Sequence, residues 1–269
     1  MINEKALVAT DALYYIQKAR VAAQVRLSHL VKPTKKYPKG RTCELTKEIL
    51  KRAGSVEEWL NEEVEVFVKL HPAYDWFSKV KGVGTLNIGK VVSFIDIEKA
   101  TMISKLWRYA GMAQGPDGKA ERPMQGQKLH YNKVLKSMCW RLAKSLIRAK
   151  GLYYEFYLEQ KQKLTDRLVS EGYTIVPSLE LPTEKDPKTG RMKHVEKNGF
   201  FGLGHVDTMA MRKMIKLFLS HLWLKWREAE GLSITAPYVH AIKGHTDYRP
   251  PEDFIDPPPA GEKQAEAQL

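Results

Sequence analysis

Between Lys133 and Arg148, cations recur mostly at three- to five-residue intervals, while Val134, Leu135, Met138, Leu142 and Leu146 fill the other side. That period is helical, with an apolar stripe for a core and a basic stripe for solvent or a ligand. No sustained two-residue alternation competes with it anywhere in the chain. A mainly α fold, a helical bundle, is therefore expected.

Other helices follow from the same period and its punctuation. Thr10 or Asp11 can cap a helix running to about Val31, and the basic linker Lys32 to Arg41 breaks it. That linker reads either as a solvated loop or as a phosphate-contacting arm. Residues from Leu45 to Leu70 read as two helices, with Ser55-Val56-Glu57-Glu58 as a capping box for the second. Residues 1–70 would thus form a helical hairpin or coiled-coil arm, a candidate homodimer contact. Further helices are expected over Ile97 to Tyr109, His130 to Lys150, Tyr153 to Ser170, and from Asp207 or Thr208 to Glu230. Asp186-Pro187-Lys188-Thr189-Gly190 is a turn signal. Residues 71–248 make the main domain, and the Pro-rich stretch 249–269 reads as a disordered tail.

Lys and Arg number 44 against 31 Asp and Glu, a net charge of +13 that favours polyanionic partners. Cys43 and Cys139 lie too far apart in sequence for a CxxC, so no cysteine zinc site is expected. No apolar signal core follows the N-terminus and no run approaches a membrane span, which makes a cytoplasmic protein without a membrane partner the expectation. The chain holds no Walker loop and no His-Glu-x-x-His, and no cofactor is expected.

The most specific local pattern is Phe77-Ser78-Lys79-Val80-Lys81-Gly82-Val83-Gly84 with Thr85 to Val92 behind it. It reads as a helix-hairpin-helix in which two glycines permit a sharp bend and free amides of the following helix meet a phosphate. On this reading Lys79, Lys81, Gly82, Val83, Gly84 and Lys90 contact DNA backbone. The alternative is an ordinary corner whose glycines serve packing. Arg122, Lys128, Lys133, Lys136, Arg141 and Lys144 extend the basic footprint, with Glu121 the one acid between Lys119 and Lys150.

The order of segments resembles a known family. Lys81-Gly82-Val83-Gly84 is followed by Leu106-Trp107-Arg108-Tyr109-Ala110-Gly111-Met112, then Tyr131-Asn132-Lys133-Val134-Leu135-Lys136, then Ala210-Met211-Arg212-Lys213-Met214-Ile215-Lys216. This is similar to the C-terminal domain of insertion-sequence transposases of the 110/116/902 type, over about Leu45 to Ala229. The resemblance implies a DNA-binding helical domain, with structured RNA a further candidate partner. Two departures bear on chemistry. Only about 75 residues precede the bend, too few and too helical for the family's RuvC-like nuclease domain. The loop Gln114 to Gly126, where the family carries its catalytic serine, contains no Ser, Thr, Cys or Tyr. The expected function is therefore non-catalytic nucleic-acid binding in a mobile element or virus. The alternatives are an active transposase or recombinase and a structural or inhibitory protein that binds a ribonucleoprotein or an acidic protein partner. His205, His221, His240 and His245, with Asp207 and Asp247, lack metal-ligand spacing and read first as core or capping residues.

Overall fold

A computed structural model describes residues 4–33, 35–36, 40–115, 118, 120–121, 126, 128–187, 189–234 and 249–257. The protein is mainly helical, with 63% of the described residues in helix, as the apolar period requires. Eight α-helices stand among the described residues: α1 Glu4–Leu30, α2 Glu44–Lys69, α3 Tyr74–Phe77, α4 Thr85–Val92, α5 Ile103–Tyr109, α6 Lys133–Ala149, α7 Leu152–Ser170 and α8 Leu203–Ala229. Two compact units result, one of Met1–Tyr74 with Gly84–Ala100, the other of Asp75–Val83 with Thr101–Leu269.

In the first unit α1 and α2 form an antiparallel hairpin. Lys5 near the start of α1 pairs with Glu63 near the end of α2 at 2.7 Å, and Arg20 pairs with Glu57. Small residues Ala6, Ala9 and Ala23 are buried on α1, which lets the helices approach closely, and Leu13, Leu60, Val64 and Val68 fill the seam. Helix α4 completes this core through Ile88, Val91 and Val92. A Cβ on Gly89 would lie 2.6 Å from Val64 Cγ1 and 2.9 Å from Val68 Cγ2, so only glycine allows α4 to sit this close to α2. The break expected at Ser55 does not occur. Ser55 lies inside α2, its hydroxyl turned back to the Lys51 carbonyl at 3.4 Å, because the apolar face runs on unbroken from Ala53 to Val68.

In the second unit α8 supplies the central apolar helix, with Ala210, Met214, Ile215, Phe218, Leu219 and Leu222 buried. Helix α6 contributes Leu135, Met138, Leu142 and Leu146, and α7 contributes Tyr153, Tyr157, Leu164 and Leu168. Helix α5 begins at Ile103 rather than Ile97, since Ile97 and Ala100 are already core residues of the first unit. Among the described residues four strands of three residues each make two small sheets. β1 Thr174–Val176 pairs in parallel with β4 Phe200–Gly202, and β2 Thr183–Lys185 pairs antiparallel with β3 Met192–His194. The turn between β2 and β3 is closed by Asp186, whose carboxylate accepts from the Thr189 amide at 3.1 Å.

The segment expected to be a disordered tail is ordered from 249 to 257, because apolar and charged anchors hold it; residues 258–269 lie outside the described residues. Phe254 is buried 4.5 Å from the Tyr153 ring, and Trp76 Nε1 donates to the Pro251 carbonyl at 3.1 Å. Glu252 pairs with Lys225, and Arg249 with Glu159 at 2.6 Å. His221 links this strap to the core. Its Nε2 faces the Arg249 carbonyl at 2.9 Å and so must donate, which leaves Nδ1 to accept from the Tyr153 hydroxyl at 2.6 Å. Burial lowers the His221 pKa from 6.5 to about 4.

Two outcomes are expected. Gly89→Ala should lower the denaturation free energy by about 1–3 kcal/mol through overpacking, read from urea unfolding. An unfolded histidine takes up its proton near pH 6.5, whereas folded His221 resists it down to about pH 4. The unfolded state then binds more protons in that window, so stability should fall as pH drops through it and level off below. The contribution is about 3 kcal/mol, and a His221→Gln variant should show a flatter profile in denaturant melts.

Candidate nucleic-acid interface

Three segments that are far apart in sequence meet in the second unit. Trp107 of α5 donates from Nε1 to the Lys216 carbonyl at 3.1 Å, and Lys216 Nζ lies 4.0 Å from the centroid of the same ring. The Asn132 amide donates to the Tyr109 carbonyl at 2.9 Å. Asn132 Oδ1 accepts from the Val134 and Leu135 amides at 2.9 and 3.0 Å, which caps α6 and fixes where its cations begin. Gly111, at φ +66°, gives Lys136 its place: a Cβ there would lie 2.8 Å from Lys136 Cδ and 3.0 Å from the Tyr131 ring. Lys136 Nζ is 4.2 Å from the Tyr131 centroid and donates to the Glu121 carbonyl at 3.4 Å.

Helix α6 differs from α7 in how its charges are balanced. All three cations of α7 meet carboxylates, Lys161 with Asp207 at 2.7 Å, Lys163 with Glu159 at 2.7 Å and Arg167 with Glu171 at 3.5 Å. On and around α6, Lys128, Lys133, Lys144, Arg148 and Lys150 are exposed and meet no acid among the described residues. The sequence explains this, since no Asp or Glu occurs between Glu121 and Glu155. At 100° per residue, Lys133, Arg141, Lys144 and Arg148 fall within about 80° of arc, a single cationic face. Lys136, about 60° round the helix from Lys133, is half-buried, as are Arg212 and Lys216 of α8. Burial lowers all three pKa values, and the charge of Arg212 lowers those of Lys136 and Lys216 further, with Glu121 partly opposing at Lys136. Arg212 Nε is buried and has no hydrogen-bond partner among the described residues.

The bend at Gly82 has a packing role of its own. Gly82 has φ +93°, and a Cβ on it would lie 2.7 Å from Ala149 Cβ and 3.0 Å from Leu146 Cα, so the glycine is needed where the bend rests on the end of α6. The Val83 amide donates to the Val80 carbonyl at 3.1 Å. The Lys81 amide donates to Asp256 Oδ2 at 2.8 Å, and the other carboxylate oxygen accepts from the Leu152 amide at 3.0 Å. A carboxylate of the chain itself thus holds the Lys81 amide and the start of α7. The residues before the bend make one helical turn, α3, and the chain passes into the first unit between Val83 and Gly84. Gly84 is the N-cap of α4. Lys79 and Lys81 are exposed. Lys90, expected at the DNA backbone, is instead 4% exposed and donates to Gln17 Oε1 at 2.8 Å, because its place on α4 faces the core of the first unit. It cannot reach a phosphate.

Of the other sequence candidates, Arg122 lies outside the described residues, as do His240, His245 and Asp247. Arg141 is exposed and in contact with a neighbour. His205 pairs with Glu196 at 2.8 Å and stacks on Phe201, while His221 is a core residue. Among the described residues no group of three His, Cys, Asp or Glu could hold a metal ion, and no helix is long and apolar enough to cross a membrane. Arg212 and Lys216 were absent from the candidates read from sequence. Their signal was two cations four residues apart beside Met211, Met214 and Ile215, on a helix that must bury that side. Comparison with protein-family models, curated proteins and solved structures returns no match.

Gly111→Ala should lower stability by about 1–2 kcal/mol from its left-handed backbone and by more from the clash with Tyr131. Gly231→Ala, with φ +64° and open space around it, should show the backbone part alone, so urea unfolding of the two variants separates the terms.

Proposed function

We propose that this protein binds nucleic acid without catalysis, gripping the phosphate backbone with the exposed face of α6. The observation that carries the reading is the row Lys133, Lys144 and Arg148, which no carboxylate offsets among the described residues. A solvated surface gains nothing from like charges set side by side, whereas a polyanion turns each into a contact and releases a counterion. From Lys133 to Arg148 the helix rises about 22 Å, enough to follow several phosphates. The resemblance to insertion-sequence transposases favours DNA as the polyanion, and its mobile-element setting comes with it. The bend at Gly82 enters this reading as the support beneath the end of α6. The reading assigns no catalytic residue and no metal.

The test is fluorescence anisotropy with duplex DNA and with structured RNA over a range of salt. With Arg141 counted beside Lys133, Lys144 and Arg148, four α6 contacts give an expected slope of log affinity against log salt of about −3 to −4 on duplex DNA. A Lys144→Glu, Arg148→Glu double variant should flatten that slope by about 2 and leave the melting temperature near that of the parent. Equal binding by the variant, or salt-independent binding, would remove the proposal. Binding to an acidic protein without any to DNA or RNA would replace it.

A further inference from the structure

We propose that Lys136, Arg212 and Lys216 form a seat for one phosphate monoester, the terminal phosphate of a nucleic-acid strand. Three observations bring this about. The cations come from two helices, α6 and α8, and are half-buried as a group in the second unit. Two of them are held in place by aromatic faces, Lys216 over Trp107 and Lys136 over Tyr131, so their positions are set before any ligand arrives. Arg212 offers a buried Nε–H that no described residue accepts. Buried donors are nearly always satisfied, and nothing among the described residues satisfies this one, so a guanidinium whose charge acts on two lysines calls for an anionic acceptor.

The surrounding charge narrows the ligand further. Glu121 is the carboxylate that acts on Lys136, and one of its oxygens accepts the His130 amide at 3.2 Å. Among the described residues one carboxylate against three cations leaves about two positive charges, which a monoester balances better than an internal diester, since a monoester carries about −1.5 to −2 at neutral pH. A planar guanidinium with two flanking ammonium groups also suits three equivalent oxygens. The source of the phosphate, a strand end, rests on the nucleic-acid reading above; the chemistry of the seat does not.

Two measurements on the full chain separate these. Inorganic phosphate titrated against the lysine side-chain NMR signals should move the ring-shifted Lys216 resonance saturably. In anisotropy, a 5′-phosphorylated duplex should bind about tenfold more tightly than its 5′-hydroxyl counterpart, the worth of one charge-assisted contact. Arg212→Gln should abolish both effects and Arg212→Lys should retain part of each. Lys144→Glu with Arg148→Glu should weaken all duplex binding yet keep the Lys216 response to phosphate. Should the Lys216 signal ignore phosphate in the parent, or the 5′-phosphate increment survive in folded Arg212→Gln, the seat is refuted. A Lys216 response with no 5′-phosphate increment overturns the strand-end assignment. A Lys216 response in a protein that binds no nucleic acid refutes the proposed function and the strand end, and leaves a seat for free phosphate.

Discussion

Helix α6 carries its cations side by side, and the fold must bear their repulsion. Like charges one turn apart on an exposed helix cost about 0.2–0.5 kcal/mol per pair. On the other face Leu135, Leu142 and Leu146 are completely buried, each worth about 1.5–3 kcal/mol in apolar transfer. Packing therefore outweighs the repulsion several times over, and the Asn132 cap adds about 1 kcal/mol. The sequence can keep this face free of acids because the opposite face anchors the helix.

The same helix organises its surroundings. Gly82 lets the bend lie against its last turn, and Gly111 lets Lys136 fold over Tyr131 near its first. Asp256 then ties the bend to the start of α7, so a residue close to the end of the described chain fixes the geometry of one near position 80. Seen this way, the C-terminal strap is part of the framework that presents the cationic face, through Phe254, His221 and Trp76 as well as Asp256.

Much of the helical framework was legible from apolar spacing, α6 and α8 above all, because each keeps one face apolar over four turns or more. The misreadings have local causes. Ser55 carried a capping signature but sat within an apolar face that continued on both sides, and packing overrode the cap. Lys90 looked like a solvent-facing cation beside a glycine bend, and only the partnership with Gln17 reveals that it points inward. At the two-glycine bend the sequence did not reveal that Gly82 is needed for close approach or that a distant aspartate holds the Lys81 amide, since neither partner is near in sequence. Arg212 and Lys216 stayed hidden for the same reason, since their significance arises where α5, α6 and α8 come together.

Lysine acetylation footprinting by mass spectrometry, with and without duplex DNA at low salt, tests the central assignment most directly. Protection is predicted at Lys133 and Lys144, with Lys47, Lys69 and Lys163, each already beside a carboxylate, unchanged. Equal labelling of Lys133 and Lys144 in the free and DNA-saturated protein would contradict the account.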